Sequence, residues 1–141
     1  MSTESTQRTM DGYLEALLSG GDFDSYFADD VVWTTMETGD EIRGKQDVAD
    51  FIVALHGTMF DARPELVNVV CGDGVASLEA VFVATHSGEF AEIPATATGT
   101  DVRLPYSVGY DVADDRITAV RAYFPVTRLR GLLSEAAAAR G

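Results

Sequence analysis

The stretch ADDVVWTTM (residues 28–36) passes from acidic through apolar to hydroxyl-bearing side chains. As a β-strand it sets Val31, Trp33, Thr35 and Glu37 on one face and Val32, Thr34 and Met36 on the other, because successive side chains alternate. The first face runs from apolar through hydroxyl to acid. It reads as the wall of an interior with a polar end, where Trp33 contributes buried aromatic area and Asp29 and Asp30 stay outside.

Working outward from this strand, Met10, Tyr13, Leu14, Leu17 and Leu18 recur at helical spacing until Gly20 and Gly21 stop the run. Asp22 suits the cap of a short second helix through residues 24–28. After a turn at Thr38 to Asp40, Val48, Phe51, Ile52, Leu55 and Met59 form the apolar stripe of a third helix. From Pro64 the pattern becomes that of strands: residues 65–70, 75–86, 102–112 and 117–126, with Asp73 and Gly74 in one tight turn and Asp114 and Asp115 in another. Thr127 can cap a last helix bearing Leu129, Leu132 and Leu133. Helices gathered before a run of strands predict an α+β fold, in which helices close one face of a curved antiparallel sheet into a cone. The mouth of a cone is concave and mostly apolar, hence the default ligand site.

A chain of 141 residues fits one domain, residues 1–141, with its core in about residues 8–134 and flexible ends. Ten basic against 23 acidic side chains leave a net charge of −13, and nine of the ten basic residues are arginine. Such a surface repels phosphate backbones and anionic lipid heads, so neither nucleic acid nor membrane is an expected partner. Cys71 is the only cysteine, which excludes an intrachain disulfide, and the polar start MSTESTQRTM has no signal core. A cytoplasmic location is expected. The two histidines and one cysteine do not have zinc spacing, and no glycine-rich phosphate loop is present. No metal or cofactor is expected, so activity restored by a divalent ion after chelation would contradict this reading.

Three stretches, YLEALLSGGDFDSYFADDVVW (13–33), IRGKQDVADFI (42–52) and THSGEF with TGTDV and DRITAVRAYF (within 85–124), resemble the nuclear transport factor 2-like superfamily. Within it they are most similar to the SnoaL-like polyketide and ester cyclase branch, with ketosteroid isomerase as a cousin. The resemblance implies a cone-shaped fold with a hydrophobic pocket, and it leaves the activity open because that scaffold hosts many chemistries.

By this resemblance the strand bearing Trp33 and Thr35 lines the cone. Thr35 stands where the isomerases carry their aspartate base, and a hydroxyl cannot replace a carboxylate as a proton acceptor near neutrality. The cyclase aspartate, histidine and asparagine positions match Ala122, Val108 and Phe51. Tyr13 matches a tyrosine that supports the isomerase oxyanion hole; Tyr106, Tyr110 and Phe124 complete the expected wall. Glu37, desolvated among aromatics, would have a raised pKa and serve as general base, with a solvated turn residue as the alternative. His86 suits acid/base work or a structural role, Tyr13 a polar or a packing role, and His56 a cap or the surface.

Two functions therefore stand: proton-transfer catalysis of the cyclase, isomerase or dehydratase type on a small apolar, carbonyl-containing or polycyclic molecule, or ligand binding without catalysis. An ionisable group facing the interior separates them. A homodimer is also expected, since Val81, Val83, Arg121 and Tyr123 share the sheet's open face; light scattering that showed only monomer at micromolar concentration would contradict it.

Overall fold

The computed structural model describes residues 2–88 and 99–140. Helix α1 (Thr3–Ser19) starts seven residues before the apolar stripe does, because Ser2 and Ser5 form a reciprocal capping box that satisfies amides of the first turn. It ends at Gly20, whose φ of 75° is the left-handed closure that glycine adopts without penalty. Its buried face is Thr6, Thr9, Met10, Tyr13 and Leu14. Gly12 sits over the Tyr26 ring, where a Cβ would lie 2.5 Å from the hydroxyl oxygen, so any larger residue would push the helix off this contact.

The expected second helix is only a 3-10 turn, Phe23–Tyr26, with no side-chain cap from Asp22. Strand β1 (Phe27–Thr35) follows at once, then β2 (Asp40–Arg43), which pairs antiparallel with β1 and was hidden by its polar residues. Helix α2 (Lys45–Val53) widens into a π-helical turn (Ala54–Met59). The remaining strands are β3 (Phe60–Ala62), β4 (Glu65–Cys71), β5 (Val75–His86), β6 (Asp101–Ala113) and β7 (Arg116–Tyr123), and helix α3 (Val126–Arg140) closes the chain.

The sheet order is β2-β1-β7-β6-β5-β3, with β4 also on β5. All pairs are antiparallel except β1 with β7, which run parallel, so the sheet is mixed where an antiparallel one was expected. The first strand joins the last one, and the intervening hairpins fix their relative direction. β3 and β4 occupy one edge of β5 in succession, interrupted at Pro64, which has no amide hydrogen to offer the ladder. The β6–β7 hairpin turns on Asp114 and Asp115 with φ of 52° and 60°, as the sequence predicts for a tight turn.

The curled sheet forms a half-barrel whose concave side is filled by two clusters. One joins α1 to β1, β6 and β7 through Tyr13, Phe27, Val31, Tyr110 and Ile117; the other joins Phe60 and Phe82 to Leu129 and Leu133 of α3. Each fully buried Phe or Leu contributes about 1.5–3 kcal/mol of transfer free energy. On the convex side Val81 and Val83 are half-buried, Tyr123 is exposed, and Arg121 is held by a two-pronged ion pair to Asp111 at 2.9 and 3.1 Å. No helix among the described residues is long and apolar enough to cross a membrane.

Candidate active site

Between the two clusters lies a cavity of roughly 850 Å³, counting its open end. Its floor is the concave face of β1, β5, β6 and β7; α1 and the end of α2 cover it. The alternation read from the opening stretch holds for Trp33 and Thr35, which both line it, and the Trp33 indole N–H donates to the Thr35 hydroxyl at 3.1 Å. Trp33 packs edge-on against Phe51, ring centres 5.2 Å apart. The positions matched by resemblance fall side by side: Thr35 is the ladder neighbour of Ala122, Ala122 of Val108, and Val108 of Leu78. This row crosses the floor without one ionisable group.

Phenols and one histidine supply the polarity. Tyr13, Tyr106 and Tyr110 line the cavity, with the rings of Tyr13 and Tyr110 5.9 Å apart. Burial pushes the Tyr106 hydroxyl up to about 12. Burial also raises Tyr13 and Tyr110, each pushed further by neighbouring phenols, while the contact between their hydroxyls lowers the first and raises the second. All three remain protonated near neutral pH and can only offer hydrogen bonds as neutral groups.

His56 lies in the π-helical turn and lines both this cavity and the wider opening beyond it, formed with Leu17, Leu18, Gly57, Arg63 and Pro64. Its Nδ1 is 2.8 Å from the Ile52 carbonyl oxygen. A carbonyl only accepts, so Nδ1 carries the hydrogen and Nε2 keeps its lone pair in the neutral ring. Burial lowers the His56 pKa, outweighing the opposite effect of the Ile52 carbonyl, so that neutral form prevails. Sequence reasoning took His56 for a cap or surface residue. Its place one turn after Ile52, on the flank of the third helix's apolar stripe, was the signal available.

Glu37 lies elsewhere. The strand ends at Thr35, whose carbonyl receives the amides of Thr38 and Gly39 in a turn, so strand alternation does not reach residue 37. The exposed Glu37 carboxylate instead accepts the Thr127 amide at 2.8 Å and the Thr127 hydroxyl, capping α3 in the role expected of Thr127 itself. Those bonds to Thr127 lower its pKa, opposite to the rise expected of a buried base. His86 is 1% exposed, but it does not line the cavity. It packs on Phe60, ring centres 5.4 Å apart, and neither ring nitrogen has a hydrogen-bond partner among the described residues. Glu89 and Phe90 of the THSGEF motif lie outside the described residues. Phe124 lines the cavity as expected. Among the described residues, no three His, Cys, Asp or Glu side chains gather as a metal site would require.

A half-barrel with a buried, phenol-lined cavity defines the class, and residues 11–120 match the SnoaL-like domain. The chain belongs to that family, within the nuclear transport factor 2-like superfamily. Among solved structures it is similar to a provisionally assigned polyketide cyclase from Xanthomonas campestris pv. campestris, with TM-score 0.77 and 21% identity over 93% of this chain and 98% of that one. A provisionally assigned ketosteroid isomerase from Kribbella flavida gives TM-score 0.68 and 20% identity over 87% and 79%. An epoxide hydrolase from M. tuberculosis gives 0.68 and 20% over 98% and 95%. At such identities these likenesses carry the fold and not the reaction. No curated protein matches the chain.

Proposed function

We propose that the protein binds a small apolar molecule bearing a carbonyl group and catalyses a cofactor-independent proton transfer on it, of the cyclase, isomerase or dehydratase type. The observation that carries this reading is the presence of three protonated phenols in the lining of a cavity whose other walls, apart from Thr35 and His56, are apolar side chains. When a proton leaves the carbon next to a carbonyl, negative charge gathers on the oxygen. Neutral donors fixed in a dry site stabilise that charge more than they stabilise the uncharged substrate, which is the condition for rate acceleration. The uncharged floor formed by Thr35, Ala122, Val108 and Leu78 favours the body of a hydrophobic substrate.

That same row supports a second reading, ligand binding without turnover, since none of its members is an acid or a base. Titration with the bicyclic ketone 2-decalone tests the part common to both. Trp33 is the only tryptophan, so its fluorescence reports entry into the cavity. The expected result is saturable quenching or enhancement, and about ten-fold or greater weakening in Trp33→Ala followed by calorimetry, in keeping with ~1.5 kcal/mol or more for a buried aromatic contact. No saturable change in the native protein would contradict both readings.

A further inference from the structure

We infer that His56 is the catalytic base of this cavity, taking a proton from the carbon beside the ligand's carbonyl through Nε2. This rests on the cavity being the reaction site and names the group that the proposed chemistry lacks. Three observations place it. The ring borders both the inner cavity and the wider space that adjoins it, within reach of a ligand in either. The Ile52 carbonyl, 2.8 Å from Nδ1, fixes both the tautomer and the ring plane, and among the described residues Nε2 has no hydrogen-bond partner of its own. The ring meets Phe82 edge-on at 6.4 Å, and Phe82 meets Tyr106 at the same 6.4 Å, so His56 and Tyr106 both pack on one aromatic ring of the cavity lining.

The surroundings keep this base uncharged before reaction. From α1 it faces Leu17 and Leu18, from β5 Phe82, and from the β3–β4 edge Ala62 and Pro64; among the described residues Arg63 in the opening is the one charged side chain lining either space, and none of them brings a carboxylate there to favour the imidazolium. Helices often change to π winding at functional sites, and His56 sits within such a turn.

The step balances without a co-reactant. The C–H bond breaks, its proton goes to Nε2, and its electron pair forms the enolate C=C bond while the carbonyl π pair moves to oxygen, where the phenols donate. Return of the proton to the same carbon exchanges it; return to the far end of a conjugated system isomerises the ligand. Burial lowers the His56 pKa from the ordinary histidine value, so the ring is deprotonated at neutral pH and able to accept the proton.

The test uses 2-decalone in D2O, with loss of its α-proton signals followed by NMR and binding followed through Trp33 emission. His56→Asn keeps an amide that can donate to the Ile52 carbonyl and removes Nε2. The native protein should accelerate exchange over buffer, with a rate that rises with pH to a plateau and a midpoint below 6.5, the ordinary value for histidine. His56→Asn should lose about 100-fold or more of that exchange, the usual weight of a general base, while its decalone affinity stays within about two-fold. Undiminished exchange in His56→Asn overturns the assignment. Binding to the native protein without exchange overturns it too, and leaves the non-catalytic reading standing. Absence of binding overturns both. His56→Gln, tested in parallel, guards against misfolding: loss of exchange in every variant that retains binding supports the assignment, and retained exchange in either contradicts it.

Discussion

The two histidines border the same pair of rings and have opposite fates. Phe60 and Phe82 stack edge-on at 5.2 Å; His56 touches Phe82 on the cavity side, and His86 touches Phe60 on the far side, closed in by the second cluster. His56 has a carbonyl fixing one nitrogen and free space before the other. His86 is more deeply buried, with both nitrogens unpartnered among the described residues and no place in the lining of the cavity. Burial alone does not make a histidine a base. It needs a partner that sets the tautomer and room for a substrate at the remaining nitrogen.

The comparison breaks most visibly if exchange is measured in both variants together. His56→Asn should lose about 100-fold in decalone exchange, whereas His86→Leu should exchange at the native rate. Equal losses would mean that the two rings act through the core and not through chemistry. A smaller effect sharpens the contrast from the side of stability. His86→Leu replaces an orphan polar ring by an apolar side chain of similar volume, and a urea melt should show a gain of about 1 kcal/mol, since an unsatisfied buried group costs on the order of 1–3 kcal/mol. A loss would reveal a partner for His86.

The smallest effect concerns Glu37, the carboxylate that the sequence reading offers as general base. Glu37→Gln should leave exchange unchanged and lower stability slightly, because a neutral amide caps the α3 amide less well than a carboxylate does. Its folded pKa is lowered, so its contribution is present above the carboxylate's unfolded pKa and is lost as pH falls through the lower folded one. Melts of the two proteins should therefore differ at neutral pH and converge as the pH is taken below the ordinary carboxylate range. A constant difference down to such pH would contradict the cap.

The fold was legible because its signals are local and periodic. The Leu14–Leu17 stripe, the Asp114 and Asp115 turn and the even-numbered inward residues of β5 each follow from a few neighbours in sequence. The same alternation put Trp33 and Thr35 on one face and Tyr106, Val108 and Tyr110 on another, and the family resemblance turned these faces, with Ala122, toward the cavity they line. It failed at Glu37, because alternation ends where a strand turns, and the partner that claims this carboxylate lies 90 residues away in sequence. The parallel pairing of β1 with β7 was hidden for the same reason. His56 escaped notice because its importance comes from a break in winding at Ala54–Met59, which helical periodicity cannot express.

Nitrogen NMR of protein labelled with 15N-histidine, titrated from pH 8 to pH 4 with and without 2-decalone, tests the central claim most directly. The account predicts for His56 a neutral ring protonated at Nδ1 at pH 7, a midpoint below 6.5, and an Nε2 resonance that shifts when decalone fills the cavity. A His56 ring protonated at Nε2, charged at pH 7, or indifferent to the ligand would contradict it.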